Sequence, residues 1–229
     1  MITLTLIVGL LSIFLVLLPF NYRYAVAHPY SALNVSLLKH LCGVDYVVEG
    51  KENIPEGAAI IFSKHQSTWE TMALQLIFPP QTFVVKRELM WVPFFGWGLT
   101  LLKPIAINRA AGQNAIQQIV SQGIERLKAG IWVVIFPEGT RVRPGQKVRY
   151  KKGGAILAAE SGYPVVPVAH NSGEFWPKKQ FLKKPGTIKL VIGPPIQTRD
   201  RKPEAILAEA ETWIETTMAR ISQPPSIKP

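Results

Sequence analysis

The sequence predicts an α/β domain: a mostly parallel sheet of about seven strands flanked by helices, with an apolar N-terminal segment ahead of it. Three observations lead there. Short β-rich runs recur at 46–49, 58–63, 82–86, 104–108, 131–136, 165–169 and 187–192. Several of them, such as Ala58-Ala59-Ile60-Ile61, are apolar throughout instead of alternating, as expected of strands covered on both faces. Helical patterns separate the runs, and strands alternating with helices favour parallel pairing.

The elements follow in order. The first twenty residues, MITLTLIVGLLSIFLVLLPF, carry no charged side chain. About 20 apolar residues suffice to cross the ~30 Å hydrocarbon layer as a helix. Ala25-Val26-Ala27 resembles a signal-peptidase site, but no basic residue precedes the apolar run and Asn21, Tyr22, Arg23 and Tyr24 intervene. A retained anchor is therefore expected. The positive charge all follows it, which places the remainder on the cytoplasmic side. A second apolar stretch, 30–43, has Leu33, Leu37, Leu38 and Leu41 at helical spacing. One spanning helix and a two-helix hairpin lying in one leaflet both fit. Further on, Ile116, Ile119, Val120, Ile124 and Leu127 mark one face of a helix that Gly130 would close. Ile206, Ala210, Trp213, Ile214 and Ile221 mark a C-terminal helix opened near Pro203. The expected organisation is an anchor at 1–43, one domain at 44–222 and a loose, proline-rich tail at 223–229.

Composition narrows the partners. The formal net charge of +11 calls for anionic ones: nucleic acid, phospholipid head groups or phosphorylated substrates. Nucleic acid is disfavoured, because no recognised nucleic-acid-binding motif appears and the basic clusters lack interleaved aromatics. The apolar fraction of 48% favours contact with lipid. The single cysteine, Cys42, rules out an internal disulfide and a Cys-based zinc site, and reads as a buried structural thiol. His28, His40, His65 and His170 show no ligand spacing, so no metal is expected.

Two strand ends carry candidate chemistry, and a third supports them. The run ending at Phe62-Ser63 continues as Lys64-His65-Gln66-Ser67-Thr68-Trp69-Glu70. Ser67 and Glu70 have the spacing of a capping box, which accounts for both without catalysis. It leaves His65 unexplained, at the sheet edge where open α/β sheets bind ligands. A carboxylate beside an imidazole would fix its tautomer. The strand 131–136 runs into Pro137-Glu138-Gly139-Thr140-Arg141. A guanidinium forks onto phosphate, a glycine lets the backbone approach, and a carboxylate accepts from a hydroxyl. A polar turn with a surface ion pair is the plainer reading of any one of these. Pro104-Ile105-Ala106-Ile107 likewise ends in Asn108-Arg109.

Taken together these segments resemble the glycerolipid acyltransferases. HQSTWE looks like their H-x-x-x-x-D/E motif, FPEGTR matches their third motif letter for letter, IAINR resembles the second and Val165-Val166-Pro167-Val168 the fourth. Order and approximate spacing agree over roughly residues 45–170. Glu70 stands where Asp is commoner, and Asn108 where an Asp usually precedes the arginine. The resemblance implies direct acyl transfer from acyl-CoA or acyl-ACP to the sn-2 hydroxyl of lysophosphatidic acid. His65 would be the general base and Glu70 its orienting partner. Arg109, Glu138, Gly139, Thr140 and Arg141 would hold the glycerol phosphate. No covalent acyl-enzyme and no cofactor beyond the co-substrate are implied, so Ser67 is a cap. The same fold acting on another lysophospholipid or an amino-acid lipid is the alternative. A non-catalytic, basic membrane- or nucleic-acid-binding protein is the rival of another class.

Two further features stay open. Residues 89–97, with Trp91, Phe94, Phe95, Gly96 and Trp97, read as a packed core helix, an acyl-chain groove or a membrane-facing surface. Arg141, Arg143, Lys147, Arg149, Lys151 and Lys152 form one basic cluster, and Lys178, Lys179, Lys183 and Lys184 a second. They read as solvated faces, as attraction to an anionic membrane, or as attraction to the phosphates of CoA or the acidic face of acyl carrier protein.

Overall fold

Two helices, α1 (Ile2–Leu15) and α2 (Phe20–Cys42), precede all seven strands of a single sheet. The computed structural model describes residues 2–178 and 180–222; the expected loose tail and Lys179 lie outside the described residues. The strands are β1 (Val44–Glu49), β2 (Ile60–Ser63), β3 (Gln81–Lys86), β4 (Ile105–Ile107), β5 (Trp132–Ile135), β6 (Val165–His170) and β7 (Gly186–Ile192). Their order across the sheet is β1-β7-β6-β2-β5-β3-β4. The sheet is mixed. β7 runs antiparallel to β6, and the other neighbouring pairs are parallel. A parallel return needs a crossover, usually a helix. The β6–β7 link holds only the four-residue α7 (Ser172–Phe175), and the chain comes back the other way.

Helices cover both faces. On one side lie α2 and α3 (Trp69–Ile77); on the other lie α5 (Gln113–Lys128), α6 (Gly153–Ser161) and α8 (Pro203–Ile221). Alternation along the strands divides the core accordingly. Ile61, Trp132 and Val134 pack toward the first set, and Ile60, Phe62, Val133 and Ile135 toward the second. β2 and β5 are buried along their whole length, which explains why they read as unbroken apolar runs.

The N-terminal region departs from one expectation. Among the described residues, no helix is long and apolar enough to cross a membrane. α1 has 14 residues, about 21 Å of helix, against a hydrocarbon layer of ~30 Å. The chain then turns ahead of Pro19, and α2 buries Arg23, Ser31 and Asn34. This corrects the spanning-helix reading and leaves the two-helix arrangement. α2 also differs from its sequence pattern: Tyr24, Ala27, Val35 and Leu38 join the core, whereas Leu33, Leu37 and Leu41 point outward. Together with Leu10, Phe14 and Leu17 of the first segment they leave a broad exposed apolar surface.

Residues 87–99 do not form a packed core helix either. A 3-10 turn, Arg87–Trp91, is followed by the short helix α4 (Phe95–Leu99). Trp91 is 78% exposed and Trp97 is also exposed. α1 lies directly over this segment. A Cβ on Gly9 would press on Phe94 O, on Phe94 Cα at 2.6 Å and on Phe94 Cβ, so only glycine allows so close an approach. Cys42 is partly buried against the core.

Candidate active site

Parallel strands end at a common edge, so β6, β2, β5, β3 and β4 deliver their following loops to one place. Residues 64–68 follow β2, 136–142 follow β5, Arg109 follows β4, and Ser172 follows β6. Segments separated by up to about a hundred residues thereby converge.

His65 sits between β2 and α3 with its ring stacked on Phe136, centroids 4.0 Å apart. Its Nδ1 lies 2.9 Å from Glu70 Oε1. Oε1 also accepts from the backbone N–H groups of Gln66 and Ser67, each at 2.8 Å. Oε2 accepts from the hydroxyls of Ser67 and Ser172, the latter at 3.0 Å. Ser67 Oγ in turn accepts from the N–H of Trp69 at 3.0 Å. Glu70 thus reaches back to the helix start, as the capping reading expects, and holds the imidazole with the same carboxylate.

Glu70 is fully buried, which alone would push its carboxyl up. The neighbouring imidazoles and the hydroxyl of Ser67 outweigh burial and bring it down to about 2. An ionised Glu70 can only accept, so Nδ1 of His65 donates, and in the neutral ring Nε2 is the nitrogen without a proton. Nε2 has no hydrogen-bond partner among the described residues. His170, also fully buried, donates Nε2–H to Lys64 O at 2.8 Å, and burial lowers its basicity.

The peptide unit of His65 is held from both sides. Its N–H donates to Glu138 Oε2 at 2.8 Å, and its carbonyl accepts from Val142 N at 2.8 Å. Glu138 is buried, and its other oxygen lies 2.6 Å from Lys64 Nζ. The same ammonium lies 2.7 Å from Glu215 Oε1 on α8, which also accepts from Tyr150 OH at 2.8 Å. Burial would lower Lys64, but the two carboxylates beside it hold it above its ordinary value.

A cavity of about 1390 Å³ opens beside His65. Its walls include Arg109, Gly139, Phe136, Phe94 and Phe95. Arg109 donates to Gly139 O at 2.5 Å, and Gly139 adopts φ +67°, a turn that favours glycine. Arg141 donates to Thr68 Oγ1 at 3.1 Å. Thr140 is exposed, 3.4 Å from Lys178 Nζ. Of the residues expected to grip a glycerol phosphate, Arg109 and Gly139 line the cavity beside His65, and Arg141 stands beside it against Thr68. Glu138 instead faces inward to Lys64 and the His65 peptide. Of the groove candidates, Phe94 and Phe95 line the cavity, Gly96 is buried behind them, and Trp91 and Trp97 face outward. No group of acidic, histidine or cysteine side chains suited to a metal ion occurs among the described residues.

A family model described as Acyltransferase matches residues 45–171. The chain belongs to the acyltransferase family. It is 49% identical over 219 residues to the 1-acyl-sn-glycerol-3-phosphate acyltransferase of Pseudomonas aeruginosa, covering 93% of this chain and 85% of that one. The enzyme of the same name from Saccharomyces cerevisiae is 33% identical over 182 residues, 76% of this chain and 59% of its own length. The crystal structure of the 1-acyl-sn-glycerophosphate acyltransferase of Thermotoga maritima has the same fold, with a TM-score of 0.77 at 24% identity, covering 96% of this chain and 91% of that one.

Within this acyltransferase, the residues that sequence reasoning did not find are those that hold others in place: Lys64, Ser172, His170 and Phe136. A lysine directly after a buried strand was the one available signal, since a buried ammonium requires a carboxylate partner. Ser172 gives no local signal, because only the fold brings it 102 positions back to Glu70.

Proposed function

We propose that the protein is a 1-acyl-sn-glycerol-3-phosphate acyltransferase, moving a fatty acyl group from acyl-CoA or acyl-ACP to lysophosphatidic acid to give phosphatidic acid. The observation that carries this reading is the Glu70–His65 pair, whose free Nε2 stands at a large, partly apolar cavity that also presents Arg109. His65 Nε2 takes the proton of the sn-2 hydroxyl as the oxygen attacks the thioester carbonyl. The C–O bond forms, the C–S bond breaks, and the thiolate leaves with the proton returned by His65. Glu70 holds the ring and stabilises the imidazolium between these steps. Arg109 and Arg141 bind the phosphate of the acceptor, and the backbone at Gly139 and Thr140 admits its glycerol. Glu138 acts indirectly, by fixing the His65 peptide. Phe94 and Phe95 wall the acyl chain.

The protein docks on an anionic membrane through the exposed apolar side chains of α1 and of residues 89–97, with the domain on the cytoplasmic face. Support comes from Phe14, Leu17 and Trp91, which are 77%, 87% and 78% exposed, and from the net charge of +11, since a cation close to an anionic surface contributes about 1 kcal/mol.

The test is His65→Ala in purified, liposome-reconstituted protein, assayed for transfer from acyl-CoA to lysophosphatidic acid. A loss of about 10²–10⁴-fold in kcat is expected for a general base; near-normal turnover would refute the assignment.

A further inference from the structure

The cavity beside His65 does not stay on one side of the sheet. Phe83 and Val85 of β3 face α2 and α3, whereas Val84 between them faces α5. All three line the same cavity, as do Phe136 and its neighbour Ile135, which also point to opposite faces. The space therefore wraps around the carboxyl edge of the sheet, with His65, Arg109 and Gly139 at the crossing.

Its two lobes differ in character. The first runs under α1 and α4, next to the exposed apolar surface. The second lies between α5, the start of α6 and α8, with Ile116, Ile119, Leu207 and Ala208 as walls. Arg149 and Lys152 line the cavity as well, Glu204 and Glu211 stand on its α8 side, and Lys151 lies at the crossing against Gly139. Among the described residues, no large apolar side chain on α5, α6 or α8 is exposed. The second lobe thus opens toward water and the first toward lipid.

We infer that the second lobe takes the phosphopantetheine arm of the acyl donor. This rests on the acyl-transfer reading and adds a place for the donor to it. Arg149 and Lys152 complement the phosphate of the arm. The apolar walls suit its methyl and methylene groups, and Glu204 and Glu211 accept from its two amide N–H groups. A donor lying this way brings its thioester to His65 and lays its acyl chain in the first lobe, while the lipid acceptor enters from the apolar face. Coenzyme A and acyl carrier protein carry the same arm and phosphate, so both fit.

The experiment uses the full chain in liposomes with Lys152→Glu and Ala208→Trp. Both positions are exposed, so neither change disturbs the core. KM is measured separately for acyl-CoA, acyl-ACP and lysophosphatidic acid, and coenzyme A binding by calorimetry. Each variant is expected to raise KM for both donors, on the order of tenfold, the size expected of one charge-assisted hydrogen bond, and to leave the acceptor KM unchanged. An effect on acyl-CoA alone would point to the nucleotide, and one on acyl-ACP alone to the carrier surface; either overturns the assignment to the shared arm. A raised acceptor KM, or no change at all, overturns it too. Failure of the acyl-transfer reading looks different. The wild type would then not turn over, yet coenzyme A binding weakened by both variants would still support the lobe, and no binding to the wild type would dismiss it.

Discussion

Lys64 Nζ lies 2.6 Å from Glu138 Oε1, and the two side chains are 3% and 0% exposed. One member of the pair directly precedes His65 and the other accepts its backbone N–H, so the pair holds the imidazole in register with the loop after β5. Breaking a buried ion pair by removing one partner leaves an uncompensated charge. Lys64→Met should therefore cost about 3–5 kcal/mol of stability, measured by urea unfolding. Glu138→Gln keeps the shape and should be milder in stability while still lowering kcat, because the amide is a weaker acceptor for the His65 N–H.

Glu70 supplies a prediction in pH. Its carboxyl is brought down to about 2, below an ordinary value of 4.5. A depressed carboxyl binds fewer protons folded than unfolded, so its contribution is complete above about pH 4.5 and is lost as pH falls toward 2. Acid unfolding of Glu70→Gln should lack this component. The same variant should lose about 10²-fold or more in kcat, since the imidazole loses its ionised partner. Glu70→Asp should retain more activity than Glu70→Gln.

Ser172 donates to Glu70 Oε2 from the far side of the chain. A hydrogen bond to a charged acceptor contributes about 1.5–3 kcal/mol. Ser172→Ala should lower thermal stability by an amount in that range and reduce kcat with little change in KM, whereas Ser172→Thr should restore part of both.

Gly9 lets α1 lie against Phe94. Gly9→Leu should force the helix outward at about 1–3 kcal/mol, the usual cost of overpacking. The expected readout is a lowered melting temperature together with a changed acyl-chain preference, because Phe94 lines the cavity.

All seven strands were legible, β2, β5 and β6 most plainly, because they are buried end to end and their polar residues, Ser63 and His170, come only at the last position. α5 and α8 were legible because each has one wet face. α6 was not: it opens with two glycines and is so deeply buried that its sequence, GGAILAAES, has little amphipathic pattern. The reversal of β7 was hidden for another reason, since strand direction depends on the link and not on the strand. At the site, His65, Glu70 and Arg109 were visible as polar residues at the ends of apolar runs. The inward turn of Glu138 was not, because its partner Lys64 lies 74 positions away and nothing local marks the pairing.

The clamp on the His65 peptide, with Glu138 on one side and Val142 on the other, has a bearing on protein engineering. Stretches 62–70 and 136–142 behave as a matched set, each serving as the mould for the other. Transplanting either into a foreign scaffold alone would import the letters of a motif without its shape, so chimeras between relatives should exchange both stretches together.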